Sequence, residues 1–93
     1  MITAIVFVHV DSGRIPEVAE QIAAIDSVSE VYSVTGRIDL IVLVRTKDFE
    51  SVADIISDRI AKVPGVLDTE THLAFRAYSQ HDLEATFSLG AAY

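Results

Sequence analysis

At 93 residues the chain is long enough for one domain and no more, and its 51% hydrophobic content is more apolar material than one small core needs, which points to burial between subunits. Seven basic residues against 14 acidic ones leave a net charge of −7 with no basic run, which argues against direct binding of DNA or RNA and against an anionic membrane surface. The absence of cysteine excludes disulfides and thiolate metal sites and fits a cytoplasmic protein.

Met1-Ile2-Thr3-Ala4 has no basic region ahead of an apolar stretch and does not read as a signal peptide. No apolar run approaches the ~20 residues that span a bilayer. The first element is a strand over Ala4 to Val10, β-branched and stopped by Asp11-Ser12-Gly13. Pro16 suits the first turn of a helix, where its missing N–H costs nothing. Ile15, Val18, Ala19, Ile22, Ala23 and Ile25 then form one apolar helical face that ends at Asp26-Ser27. Val31 to Val34 and Leu40 to Val44 read as two strands joined by a short Gly36-containing loop, hence a hairpin. Asp48 is a good N-cap for a second helix with Phe49, Val52, Ile56, Ile60 and Val63 on one face, terminated by Pro64-Gly65. Leu67 to Tyr78 reads as a fourth strand, with Thr69, Thr71, Leu73 and Phe75 on one side. Residues 1–78 are thus expected to form the domain. Residues 79–93 form a tail in which Leu83, Phe87 and Leu89 suit a fifth strand or an oligomerisation arm.

The order is β-α-β-β-α-β, and the halves echo each other at an offset of 38. Ile22-Ala23 matches Ile60-Ala61, Val28 matches Val66, and Glu30 matches Asp68. Two interleaved βαβ units with right-handed crossovers give an α+β, ferredoxin-like sandwich: a four-stranded antiparallel sheet with both helices on one face. The central strands do not alternate apolar with polar residues, as a sheet with one wet face should. Ala4, Val6, Val8 and Val10 oppose Ile5 and Phe7, while Leu40, Val42 and Val44 oppose Ile41 and Leu43. The helices cover only one face. The other is expected to meet the same face of a second copy, giving a dimeric αβ-barrel-type assembly.

Chemistry can sit in the loop Thr35-Gly36-Arg37-Ile38-Asp39. Successive N–H groups around a turn glycine form an anion nest, Asp39 can receive an ammonium group, and Thr35 adds a hydroxyl. Carboxylate and ammonium receivers side by side suit a free amino acid. The simpler reading is that Gly36 supplies a positive φ and Asp39 caps the turn. Thr69 and Thr71 share a strand side and can meet a ligand, although Thr also merely favours strands. His9 and His72 fall on neighbouring strands, but neither has ligand spacing, and no metal site is expected. No nucleophile motif, phosphate loop or dinucleotide fingerprint is present, so no catalytic residue and no cofactor are expected.

Two segments resemble the Lrp/AsnC family. Val34-Thr35-Gly36-Arg37-Ile38-Asp39-Leu40-Ile41 resembles its v-T-G-x-x-D-φ-φ hairpin, and Pro64-Gly65-Val66-Leu67-Asp68-Thr69-Glu70-Thr71-His72-Leu73 its P-G-V-x-x-T-x-T-x-φ segment. The likeness covers about residues 2–76, the family's regulatory (RAM) domain, and the tail after Tyr78 has no counterpart in it. The resemblance implies dimers packed sheet to sheet, often gathered into octamer or decamer rings. It implies amino-acid effectors bound between dimers. By position it implies Thr35, Gly36, Arg37, Asp39, Thr69 and Thr71 as the ligand-binding residues. Full-length regulators of the family carry an N-terminal helix-turn-helix. None precedes the first strand here, so DNA binding is not expected, and a full-length Lrp/AsnC-type regulator is the expected partner. The competing enzyme reading is a cofactor-free monooxygenase or isomerase of the same fold. That chemistry needs a roomy polar pocket between sheet and helices, where this chain has Ile, Val and Ala stripes. A third reading is an assembly domain without a ligand.

Overall fold

The computed structural model describes residues 1–78 and Gln80. Its elements are β1 (Ile2–Val10), a 3-10 turn (Ser12–Arg14), α1 (Ile15–Ala23), β2 (Val28–Ser33), β3 (Leu40–Thr46), α2 (Phe49–Asp54) continuing into a π-helical segment (Ile55–Ile60), and β4 (Val66–Leu73). The strands form one antiparallel sheet in the order β2-β3-β1-β4, with β1 and β3 in the middle. This is the expected ferredoxin-like βαββαβ plan. The expected fifth strand or arm lies outside the described residues.

The core joins one sheet face to both helices. Ala4, Val6, Val8 and Val10 of β1 and Leu40, Val42 and Val44 of β3 are buried with Val18, Ile22, Val52, Ile55 and Ile60. The period of two along the strands sends alternate residues to opposite faces. Ile5, Phe7, Ile41 and Leu43 therefore form the helix-free face, and each is half-buried. Long neighbours cover part of that stripe. The Phe7 and His72 rings lie 5.1 Å apart, and His72 Nε2 is 2.6 Å from Glu70 Oε2. On the other side the Tyr32 hydroxyl donates to Glu30 over 2.5 Å. The free face is thus an apolar stripe with a polar rim.

Both halves turn from helix to strand in the same way. Ile25 N–H donates to Ile22 O and Val28 N–H to Ile25 O; Val63 N–H donates to Ile60 O and Val66 N–H to Val63 O. The residue before each strand has a positive φ, +78° at Ser27 and +105° at Gly65. Every one of these positions keeps the offset of 38 that the sequence shows, so the repeat extends to backbone geometry.

Two elements depart from the sequence reading. The α2 face was expected through Val52, Ile56 and Ile60, but Ile55 is buried and Ile56 only half-buried, while Phe49 is 59% exposed. The cause is the π-helical turn, closed by Ala61 N–H on Ile56 O at 2.9 Å. Wider turns put residues five apart on one face, so Ile55 and Ile60 point into the core together. β4 begins at Val66 and ends at Leu73 rather than running to Tyr78, and Phe75 and Tyr78 are fully or largely exposed. Among the described residues, only Ala74 N–H, donating to Thr3 O at 2.9 Å, continues the ladder.

Asp48 caps α2 as its position suggests, accepting Ser51 N–H at 2.8 Å. That backbone N–H, with the Ser51 hydroxyl and the nearby Lys47 charge, holds the carboxyl below its ordinary value of 3.8. The folded chain therefore binds this proton less readily than the unfolded one. The stabilisation is present above the ordinary value and is lost as pH falls through the lowered one. Asp48→Asn keeps a capping oxygen but does not titrate. Thermal melts of the two proteins on acidification are expected to converge. A constant gap down to strongly acidic pH would show that the Asp48 charge adds nothing.

Candidate functional site

The β2–β3 hairpin places the loop of interest at one end of the sheet. Val34 N–H donates to Asp39 O at 3.0 Å and closes the loop. Gly36 has φ +112°, and a Cβ there would meet nothing within 4 Å, so glycine is required for its conformation and not for space. Thr35, Gly36 and Arg37 are exposed, which leaves their backbone and side chains open to a ligand.

Asp39 ends the β1–β3 ladder with both main chain and side chain. Its N–H donates to Val8 O at 3.0 Å. Its Oδ2 accepts Val10 N–H at 2.8 Å and stands 3.0 Å from His9 Nδ1. The turn-cap reading of Asp39 is therefore part of its role. Arg37 makes no ion pair among the described residues; the partner of Asp39 is His9. Sequence reasoning weighed His9 only beside His72, expected no metal site there, and missed this pairing with Asp39. The signal was there once register is known, because Val8 faces Leu40 in the antiparallel ladder and the next pair outward is His9 with Asp39.

His9 and His72 do not meet. His9 is in register with Asp68 and His72 with Ile5, four residues along β1, which is ~13 Å of strand. Among the described residues no cluster of three or more His, Asp and Glu is arranged to hold a metal ion.

Thr69 and Thr71 share one side of β4, opposite Val8 and Val6. This is the helix side of the sheet, at the edge beside α2. Thr71 lines a groove with Phe49, Val52, Ala53, Ile56 and Leu73. The loop and the threonines therefore sit on different strands with β1 between them. Asp39 and Thr71 are two strands and about three residues apart, ~14 Å by strand geometry. A free amino acid is shorter than this. One chain alone does not bring all six candidate residues onto one small ligand.

Residues 3–83 match the family described as the Lrp/AsnC ligand binding domain. The chain belongs to the Lrp/AsnC family. It is 34% identical over 77 residues to the HTH-type transcriptional regulator FL11 of Pyrococcus horikoshii, covering 83% of this chain and 50% of that protein. A Bacillus subtilis HTH-type regulator, YugG, is also 34% identical over 84 residues, again with half of its length covered. The chain spans about half the length of the curated relatives it matches. Solved structures of similar size exist. TTHA0845 from Thermus thermophilus is 48% identical with a TM-score of 0.81, covering 86% of this chain and all of that one. PHS023 from Pyrococcus horikoshii is 33% identical with a TM-score of 0.76, covering 87% and 98%. The Neisseria meningitidis regulator NMB0573, solved as a complex with L-Met, shares the fold at 15% identity and a TM-score of 0.77. As a Lrp/AsnC-family domain, the chain is a regulatory domain homologous to transcriptional regulators. Among its described residues no helix is long and apolar enough to cross a membrane.

Proposed function

We propose that this Lrp/AsnC-family domain is a sensor that binds a free amino acid at the Thr35–Asp39 loop and acts through self-assembly and a protein partner, not through catalysis. The observation that carries the reading is the exposed Gly36-Arg37 turn set beside the Asp39 carboxylate at the end of the sheet. N–H groups of the turn receive the ligand carboxylate, and Asp39 receives its ammonium group. Thr69 or Thr71 of a neighbouring copy adds a hydroxyl, because the two regions of one chain lie too far apart. The free sheet face packs on a second copy, and dimers gather into a ring. The partner is a longer regulator of the same family. The relative NMB0573, captured with L-Met, supports an amino acid as the ligand class.

Isothermal titration against the common amino acids tests the reading; heat from none of them would sink it. For an amino acid that binds, Asp39→Asn is expected to weaken binding by about 1.5–3 kcal/mol, the worth of a charge-assisted hydrogen bond. Asn keeps an oxygen for Val10 N–H, so the variant stays folded and assembled. Loss of assembly with unchanged affinity would instead leave Asp39 as a turn cap alone. With a net charge of −7, the 93-residue chain is expected not to retard duplex DNA at physiological salt. A sequence-specific shift would replace the partner-mediated reading with direct DNA binding.

A further inference from the structure

We infer that the helix-free face of the sheet is a proton-gated interface: protons taken up by His9 and His72 let two copies close on each other, and loss of those protons loosens the contact. The inference rests on the sheet-to-sheet assembly named above and adds to it the variable that controls it.

The strand register lays out what this face carries. Residues opposite one another in an antiparallel ladder share a side of the sheet. Ile5 and Phe7 of β1 run down the middle, in register with Leu43 and Ile41 of β3. Glu30 of β2 stands beside Leu43, and Glu70 of β4 beside Phe7. Asp39 and Asp68 flank His9 at one end of the stripe. Among the described residues of these strands, the permanent positive charge on this side is Arg45, at the opposite end and in register with Thr3. The face is therefore apolar at its centre and acidic at its rim.

A two-fold contact through this face gives both partners the same acidic rim. The apolar stripe favours the contact. Like charges at the rim oppose it, and more strongly once closure removes the water that screens them. The two histidines are placed to tip that balance. His9 Nδ1 stands 3.0 Å from Asp39 Oδ2, and Asp68 faces it from β4. Arg37 and Asp11 belong to the turns at the same end of the sheet. His72 Nε2 lies 2.6 Å from Glu70 Oε2, and its ring packs on Phe7 with 5.1 Å between centroids. The row of His72 continues through Ile5 and Leu43 to Glu30. Both imidazoles are open to protons in a single chain, with 53% of each side chain exposed. Protonation turns each of these contacts into an ion pair and offsets two of the four rim carboxylates.

The sign of the pH effect follows from linkage. Removing a proton from the closed interface leaves carboxylates of two copies uncompensated where little water remains, so the assembled state holds these protons more tightly than the separate chains do. Assembly therefore takes up protons. It tightens as pH falls through about 8 to 5, where histidines change charge, and weakens as pH rises. Carboxylic acids ordinarily titrate below that range, so the histidines are the groups that respond.

Sedimentation velocity of the 93-residue chain, at fixed salt and at about pH 6, 7 and 8.5, reads the dissociation constant across the histidine range. Dissociation is expected to be at least about ten-fold easier at the alkaline end, the change that linkage gives for one proton taken up over one pH unit. His9→Gln and His72→Gln keep a polar side chain that does not titrate. Each is expected to flatten the profile, and the double variant to abolish it. Both positions are exposed in a single chain, so the variants are expected to stay folded by circular dichroism. Should they fail to fold, Glu70→Gln, also exposed, removes a rim charge and is expected to tighten the alkaline dimer. An alkaline dimer no tighter in Glu70→Gln would count against the charged rim and overturn the inference. A dissociation constant that is the same at every pH would also overturn it, and would leave the sheet-to-sheet assembly standing. So would a profile that survives the double variant, which would place the response at His81, the remaining histidine. A monomer mass at every pH would overturn both.

Discussion

Val42→Glu is expected to unfold the chain, whereas Leu43→Glu, one residue along the same strand, is expected to leave a folded monomer. Val42 is fully buried on the helix side of the sheet, in register with Val6 and Val31. A charge there has no partner and no water, and an uncompensated buried charge costs about 3–5 kcal/mol. Small domains hold only about 5–15 kcal/mol in total, and a chain of this length sits at the low end. Leu43 lies on the other face, half-buried, in register with Ile5 and Glu30. A glutamate there can reach water in a single copy. In a two-fold assembly through this face it is buried twice, once from each copy, and it adds like charge beside Glu30. Circular dichroism melts separate the two variants, and light scattering reads the assembly. A wild-type mass near the 10.1 kDa monomer, or a Leu43→Glu protein that keeps the wild-type mass, would remove this face as the interface.

The second large effect is expected at Gly65. Its φ is +105°, and a Cβ built there would stand 2.7 Å from Val18 Cγ2. Val18 is fully buried in α1 and cannot move aside without disturbing the core. Gly65→Ala therefore carries both backbone strain and overpacking, together about 2–4 kcal/mol. Gly36 separates the two causes, because it has nearly the same φ and open space around it. Gly36→Ala is expected to cost only about 1 kcal/mol, the conformational part. Urea unfolding of the two variants measures both. Equal losses would mean that Val18 gives way and that packing contributes nothing at this corner.

Much of the architecture was legible in the chain alone, since the features that specify it are local. The apolar runs of β1 and β3, the stripe of α1, the Asp48 cap and the Gly36 turn each depend on neighbours within a few residues. The offset of 38 between the halves carried the pseudo-symmetric plan as well, and its match of Ser27 with Gly65 was visible only in backbone angles. The two faces of the sheet followed from the period of two. What was misread depended on packing that spacing does not encode. A regular helix was the economical reading of Phe49 to Val63. The π turn appears only when Ile55 and Ile60 compete for one core under a strand. Past Leu73 the alternation of residues continues, yet β4 stops level with Ala4, two residues short of the end of β1 at Ile2, so the end of the strand is not set by the alternation.

The candidate site divides along the same line. The loop residues Thr35, Gly36, Arg37 and Asp39 were recognisable from one short motif, since a turn and its acceptors are contiguous in sequence. The pairing of Asp39 with His9 joins residues 30 positions apart and exists only because β1 and β3 are adjacent in register. Likewise Thr71 is a strand residue by sequence, and only the altered helical phase of α2 gives it an apolar groove to stand beside. The sequence by itself determined the element order, the two-sided apolar strands, the net charge and the turn that faces solvent, all set by composition and short-range periodicity. The tertiary structure decided which side chains share a space: long-range pairing and core competition set the partner of Asp39, the opening beside α2, and the distance that keeps the loop and the threonines of one chain apart.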